Sequence, residues 1–512
     1  MARSEARRLA RGSRLLFLDL DDVQSLHGVV QAVCRAEKHA DNPVLPLGDM
    51  HEWDGMQARP WEGRTILYDE EERLFKCWYA GSDLSMARWW WTGYAISDDG
   101  VHWEKPKLGL HEYRGRSDNN VCRQGWGPLV KDLDDVPSRR YKMIVKSNER
   151  PDDCWISVSP DGVHWTDEAS ILLPEWYVPD PDIVVLIKDD QDPDPDRRFK
   201  MVWQGLGPSN KPGPAMVRTK YLACGPDVEQ LTAIADNPIL DPIDGMEQEN
   251  HYLALAPYAG QYVMPYEYGW YAPNRTGVHG MFCSDIRLAV SRDGDHYTRI
   301  QPHQPLIARG PRGTWDAGAL MLSDKVVEHD DRLWFFYVGN GEEWTQWPAG
   351  NVPEHSHWIG TGEVGSNRLS RMGLATLPKD RLTCLETADR ETPGWVVTEP
   401  LRIDERDARL ALNVSDVQQM RSFADVEVLP TDGDEALAGF TKDDCLPLHR
   451  DGLREPVRWR ERGLADLHRD SVRLRVNLYG AARLHGISLD SCWAGDTLRQ
   501  AQDERGASSG SA

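Results

Sequence analysis

Three segments of this chain spell nearly the same seven residues. They are Ser97-Asp98-Asp99-Gly100-Val101-His102-Trp103, Ser159-Pro160-Asp161-Gly162-Val163-His164-Trp165 and Ser291-Arg292-Asp293-Gly294-Asp295-His296-Tyr297. Their spacings are 62 and 132 residues, one repeat and then two, with a degenerate copy at Cys224-Gly225-Pro226-Asp227 between. A repeat of this length marks a chain built from one supersecondary unit used several times. In an Asp-Gly turn the glycine takes positive φ and the aspartate accepts from its own backbone, so the turn joins two strands. The aromatic three residues after the glycine packs the unit. Asp99, Asp161 and Asp293 are therefore read as turn-formers and not as catalytic acids.

A second pattern precedes each turn. Leu74-Phe-Lys-Cys-Trp-Tyr79 recurs as Tyr141-Lys-Met-Ile-Val145, Phe199-Lys-Met-Val-Trp203, Tyr262-Val-Met264 and Leu333-Trp-Phe-Phe-Tyr-Val338. Alternation, β-branched and aromatic residues and regular turns predict an all-β chain. Four strands per unit of roughly 65 residues describe a propeller blade. The units run 55–117, 118–177, 178–246, 247–310 and 311–390. The predicted order is an N-terminal arm and lead-in strand (1–54), a five-bladed β-propeller (55–392), a β-sandwich of six short strands (393–495) and a disordered tail (496–512).

Charge narrows the partners. The net charge of -23 argues against nucleic acid and against an anionic membrane surface. No apolar run approaches the ~20 residues of a membrane span. The basic start (Arg3, Arg7, Arg8) is followed by an apolar run cut short by Asp19, which predicts a cytoplasmic protein without a signal peptide. Nine scattered cysteines without C-x-x-C read as reduced thiols, with Cys77, Cys122, Cys154 and Cys384 in the core. Trp, at 21 copies, outnumbers Tyr and Phe. Its flat apolar face suits the C–H face of a sugar, although most of these rings serve packing.

Several stretches resemble bacterial propeller proteins related to glycoside hydrolase families 32 and 43. They are Leu74-Phe-Lys-Cys-Trp-Tyr-Ala-Gly81, Tyr94 to Gly109, Asn119-Asn120-Val121, Gly313-Thr-Trp-Asp-Ala-Gly318, Gly373-Leu-Ala-Thr376 and Val472-Arg-Leu-Arg-Val476. The resemblance implies a five-bladed catalytic propeller, a C-terminal sandwich of the family 32 kind, and cleavage of furanosides or xylosides by carboxylates at the propeller centre. The family 32 motifs survive only as fragments: Trp53-Asp54-Gly55, Pro179-Asp180-Pro181-Asp182 and Glu249-Asn250-His251.

Glycoside hydrolysis needs a protonated carboxyl to donate to the leaving oxygen and an ionised one as nucleophile or base. The start of each blade offers candidates. Asp182, Glu249 and Asp54 form the leading catalytic trio, as stabiliser, acid and nucleophile or base. Trp53, Asp118, Asp180, His251, Glu267, Trp270, Trp315 and Asp316 are the substrate-binding candidates. Loops around Trp89-Trp90-Trp91 and from Trp344 to Trp358 offer stacking platforms or a lid. Glu354 with His355 and His357 is a weak metal pattern, and no metal or cofactor is expected. The expected ligand is a small, furanose-like glycoside; no oligomeric state is assigned. Two other readings stay open: a propeller recruited to a cyclisation, elimination or rearrangement on a small metabolite, and a non-catalytic carbohydrate-binding propeller.

Overall fold

The computed structural model describes residues 6–60, 63–83, 91–147, 150–171, 182–208, 216–240, 246–273, 280–341, 344–345, 370–405 and 407–490. Asp180, Trp89, Trp90, Glu354, His355, His357 and the tail lie outside them. The described chain is all-β, with short 3-10 turns and no α-helix. Among the described residues no helix is long and apolar enough to cross a membrane. Two compact units emerge: Arg35–Pro378, and Met1–Cys34 together with Lys379–Ala512.

The unit Arg35–Pro378 is a succession of antiparallel four-stranded groups. In the first, Gln57–Arg59 and Ile66–Asp69 together flank Leu74–Ser82, followed by Trp91–Ser97 and Val121–Gln124. The next runs Leu129–Lys131, Tyr141–Ser147, Arg150–Ser159, Thr166–Ile171. Asp182–Lys188, Phe199–Pro208, Met216–Gly225 and Thr232–Ala233 come after it. Then come Ala256–Tyr258, Gln261–Pro273, Gly280–Ser291 and Thr298–Ile300. The last group has Ala319–Leu322 with Val327–His329, then Arg332–Asn340 and Arg371–Pro378. Its outermost strand is Glu37–Lys38, from the other end of the unit.

The repeated turns behave as their composition requires. Gly100, Gly162 and Gly294 have φ of 71°, 80° and 83°. Asp99 Oδ1 accepts from the backbone of Val101 and His102, at 2.9 and 2.8 Å, and Asp161 and Asp293 do the same in their turns. The glycines also seat neighbours: a Cβ on Gly162 would meet the Trp78 ring at 2.5 Å, and Trp78 donates its indole N–H to Gly162 O.

The Phe/Tyr-Lys dipeptides join one group to the next. Lys76 pairs with Asp69 at 2.9 Å and lies over the Tyr141 ring, whose hydroxyl also reaches Asp69 at 2.7 Å. Lys142 pairs with Asp132 and faces Phe199; Lys200 pairs with Asp189 and faces Tyr262, whose hydroxyl reaches Asp189. So each buried ion pair is capped by the aromatic ring that opens the second strand of the following group. Its charges are paired with each other, as buried charges must be.

The other unit contains two six-stranded sheets. One orders Arg7–Leu9, Leu401–Ile403, Ser471–Tyr479, Gly394–Thr398 and Val23–His27, with Phe423–Leu429 also on Ser471–Tyr479. The other orders Gly452–Pro456, Arg409–Ser415, Arg483–Asp490, Thr383–Thr387 and Val29–Val33, with Arg14–Leu16 also on Arg483–Asp490. Inward residues of both, among them Val426, Leu474, Val476, Leu412, Leu484 and Ile487, form one buried cluster. The segment read as an arm over 1–54 divides here. Its strands up to Val33 pair with the C-terminal strands, and Glu37–Lys38 joins the other unit.

Candidate active site

Inside the unit Arg35–Pro378 the first strands of the successive groups touch one another. Thr65 Oγ1 donates to Asp324 Oδ2 at 3.0 Å and accepts from Leu129 N at 3.1 Å. Leu255 N donates to Asp324 O, and Lys325 Nζ reaches Leu186 O at 2.5 Å. Asp324 is 1% exposed, and burial pushes its carboxyl up to about 6 against the pull of Lys325.

The charges of three carboxylates singled out above act on one buried lysine. Lys220 Nζ donates to Asn250 O, Asn250 Oδ1 and Gln204 Oε1, at 2.5, 2.6 and 3.0 Å. Gln204 passes the link on, its Nε2 donating to Asp182 Oδ2 at 3.0 Å. Burial pulls the Lys220 ammonium down to about 7, opposed by the charges of Glu267, Glu249 and Asp182. Beside it Arg218 Nη1 donates to Glu249 Oε2 at 2.8 Å. Glu267 Oε2 accepts from the backbone N–H of His251 and Tyr252, and the His251 ring lies 3.2 Å from it. Among the described residues the buried Glu267 Oε1 has no hydrogen-bond partner.

Local sequence explains this convergence. Glu249 bridges Gly269, where a Cβ would meet Glu249 O at 2.7 Å and the Phe282 ring at 2.5 Å, so only glycine lets the strands close there. Phe282 stands edge-on to His251 at 4.7 Å and fixes its ring. Trp270, half-buried, follows on the same strand, with Arg309 over its face at 5.0 Å.

Asp54 and Asp316 have a different setting, and it is the same for both. Asp54 Oδ2 accepts from the Tyr79 hydroxyl and from Lys105 Nζ, each at 2.6 Å, and Trp53 lies against Tyr79. Asp316 Oδ2 accepts from the Tyr337 hydroxyl at 3.0 Å and pairs with Lys38, and Trp315 stacks on Tyr337. Gly81 and Gly339 make equivalent room, since a Cβ on either would strike the neighbouring Trp ring and Asp Cβ. Trp53 also donates to Asn120 Oδ1. Thus Trp53-Asp54 and Trp315-Asp316 are two copies of one element, in the first and last groups.

Asp118 lies on the surface, bound to Arg116 at 2.9 and 2.7 Å. The segment after it, Val121–Gln124, is the outermost strand of the first group and does not open the second. The structure thus brings together Asp182, Glu249, His251 and Glu267. It keeps Asp54, Trp53, Asp316, Trp315 and Asp118 in other settings. Sequence reasoning missed Lys220, Arg218, Gln204 and Asn250. The available signal was Arg218 and Lys220, two charges inside the strand Met216–Gly225.

No family model matches the chain, and no curated protein does either. Solved structures resemble it at low identity. One, described as a glycoside hydrolase of the GH130 mannoside phosphorylase family that targets β-1,2 mannosidic linkages in Candida mannan, is 14% identical over 68% of this chain and 94% of its own, with a TM-score of 0.42. The exo-β-1,3-galactanase of Phanerochaete chrysosporium is 11% identical over 90% and 100%, with a TM-score of 0.36. A family 43 arabinoxylan arabinofuranohydrolase of Bacillus subtilis is 11% identical over 90% and 99%, also at 0.36.

Proposed function

We propose that the unit Arg35–Pro378 is a five-bladed propeller enzyme acting on a small glycoside, and that the two sheets of the other unit form a sandwich. Each four-stranded group is a blade, and Glu37–Lys38 closes the ring by completing the last one. The observation that carries the reading is the hydrogen-bonded chain from Asn250 through Lys220 and Gln204 to Asp182, beside the buried Glu249 and Glu267. A glycosidase needs two carboxyls on opposite sides of the scissile bond. Glu249, held by Arg218, fits the nucleophile or base better than the proton donor assigned to it on sequence. Asp182, half-buried and bound by the neutral Gln204, is the proton donor. Glu267 Oε1 takes a substrate hydroxyl, as a buried oxygen without a donor would. Asp54 and Asp316 hold their blades together through Tyr79 and Tyr337.

The roles are separable. In Glu249→Gly, added azide restores turnover and gives a glycosyl azide of inverted configuration if Glu249 is the nucleophile. If Glu249 is a base, azide restores nothing, and bond cleavage in the wild type inverts the anomeric centre. Glu249→Gly with wild-type turnover and no azide effect refutes the assignment.

A further inference from the structure

In the unit formed by Met1–Cys34 and Lys379–Ala512, the strands Val29–Val33, Thr383–Thr387 and Arg483–Asp490 lie side by side. Cys384 stands opposite Ala32, and Cys34 N donates to Leu382 O at 2.9 Å. Cys34 and Cys384 are therefore diagonal neighbours on one face, the face opposite to Leu385, which enters the core. Cys34 is half-buried, whereas Cys384 is 1% exposed.

The third strand adds an imidazole. His485 Nδ1 lies 3.8 Å from Cys34 Sγ and 2.9 Å from Thr383 O, and its Nε2 lies 2.9 Å from Ser415 Oγ. A carbonyl only accepts, so Nδ1 carries the proton, and Nε2 accepts from the Ser415 hydroxyl. Arg483 and Arg381 place positive charge near Cys34, with Glu386 and Asp416 as counter-charges. Together the Cys384 thiol, His485 and Arg483 hold the Cys34 thiol down to about 5 against its burial, while the Cys384 thiol is pushed up. A partly exposed sulfur in a positive setting is what makes a cysteine nucleophilic.

We propose that Cys34 and Cys384 are a peroxide-sensitive thiol pair, Cys34 attacking and Cys384 resolving. The Cys34 thiolate attacks one oxygen of a hydroperoxide. The O–O bond breaks, the alcohol or water leaves with a proton, and Cys34 becomes a sulfenic acid. The Cys384 thiol then attacks the Cys34 sulfur. An S–S bond forms, the S–O bond breaks, and water leaves with the Cys384 proton. The two sulfurs supply the two electrons that reduce the peroxide. Diagonal strand neighbours lie about 7–8 Å apart at Cα, and a disulfide spans up to about 6.8 Å. Closure therefore needs a small shift, and Cys34, one residue past the end of its strand, is placed to make it.

The test uses the full chain with hydrogen peroxide, then alkylation and peptide mapping without reductant. The expected result is a cross-linked peptide joining Cys34 to Cys384, released by dithiothreitol. In Cys384→Ser, dimedone should trap a sulfenic acid on Cys34. In the untreated protein at pH 6, Cys34 should alkylate at least about tenfold faster than the buried Cys77 or Cys122. Oxidation of Cys34 without the link in the wild type, or alkylation no faster than at Cys77, overturns the proposal.

Discussion

At the scale of single residues, Lys220 ties the candidate site together. Its ammonium holds Asn250 on one side of it and, through Gln204, Asp182 on the other. Burial pulls it down to about 7, so it loses its proton, and with it a donor, as pH rises through neutrality. Activity should therefore fall above about pH 7 and lose that limb in Lys220→Met, which should be at least about tenfold slower at pH 6 because the site is no longer held. A pH–rate profile that stays flat to pH 9 in the wild type contradicts this. Lys220 was visible in the sequence only as a charge inside a strand. A lysine beside Tyr221, Leu222 and Ala223 resembles any solvated strand lysine until the fold supplies its acceptors.

At the scale of elements, the Asp–Lys–aromatic staple sets how one group holds the next. Removing the Tyr141 hydroxyl takes a donor from Asp69, which is 1% exposed. Tyr141→Phe should cost about 1–2 kcal/mol by chemical denaturation. Lys76→Met leaves Asp69 paired with Lys131 and accepting from Tyr141 and from the backbone of Glu71 and Glu72, and should cost about 1–3 kcal/mol. A loss below about 0.5 kcal/mol in both variants would show that the staples do not couple the groups. The strand groups were legible because Asp-Gly turns act through local backbone chemistry. The register of their outer strands was not. After the single bridge from Ile96 to Glu104 the chain detours before Val121–Gln124 completes the first group, so the 118 boundary and the placing of Asp118 at a blade start failed together. The Trp-Asp element was visible as two residue pairs, yet its repetition emerged only when Tyr79 and Tyr337 were seen in equivalent contacts.

At the scale of the whole molecule, the first 38 residues belong to both units. Strands as short as Glu37–Lys38 carry no pattern of their own, which is why the sequence suggested only an arm. A chain beginning at Asn42 should lose the edge strands of both units and fail to give a cooperative thermal transition; a sharp, wild-type-like transition would contradict that pairing. Asp425 gives a pH signature to the unit with the paired sheets. Burial, with Glu427 adding to it, pushes its carboxyl up to about 6 against the donors Asn477 and Tyr479. A carboxyl raised above its unfolded value of about 3.9 contributes most below pH 4 and loses that contribution as pH rises through 6. Asp425→Asn should therefore gain on the wild type by about 1–3 kcal/mol between pH 4 and pH 7.5. A melting-temperature difference that does not change with pH excludes this.

The proposed activity is glycoside cleavage at Asp182 and Glu249. It is tested most directly by assaying the purified protein on aryl arabinofuranoside, fructofuranoside, xyloside and galactofuranoside, beside Asp182→Asn, Glu249→Gln and Asp54→Asn. The expected result is turnover of at least one substrate by the wild type, with losses of at least about 100-fold in Asp182→Asn and Glu249→Gln. Asp54→Asn should chiefly lower stability. Turnover that survives Glu249→Gln and disappears in Asp54→Asn would contradict the site, and a folded protein inactive on every glycoside would contradict the activity.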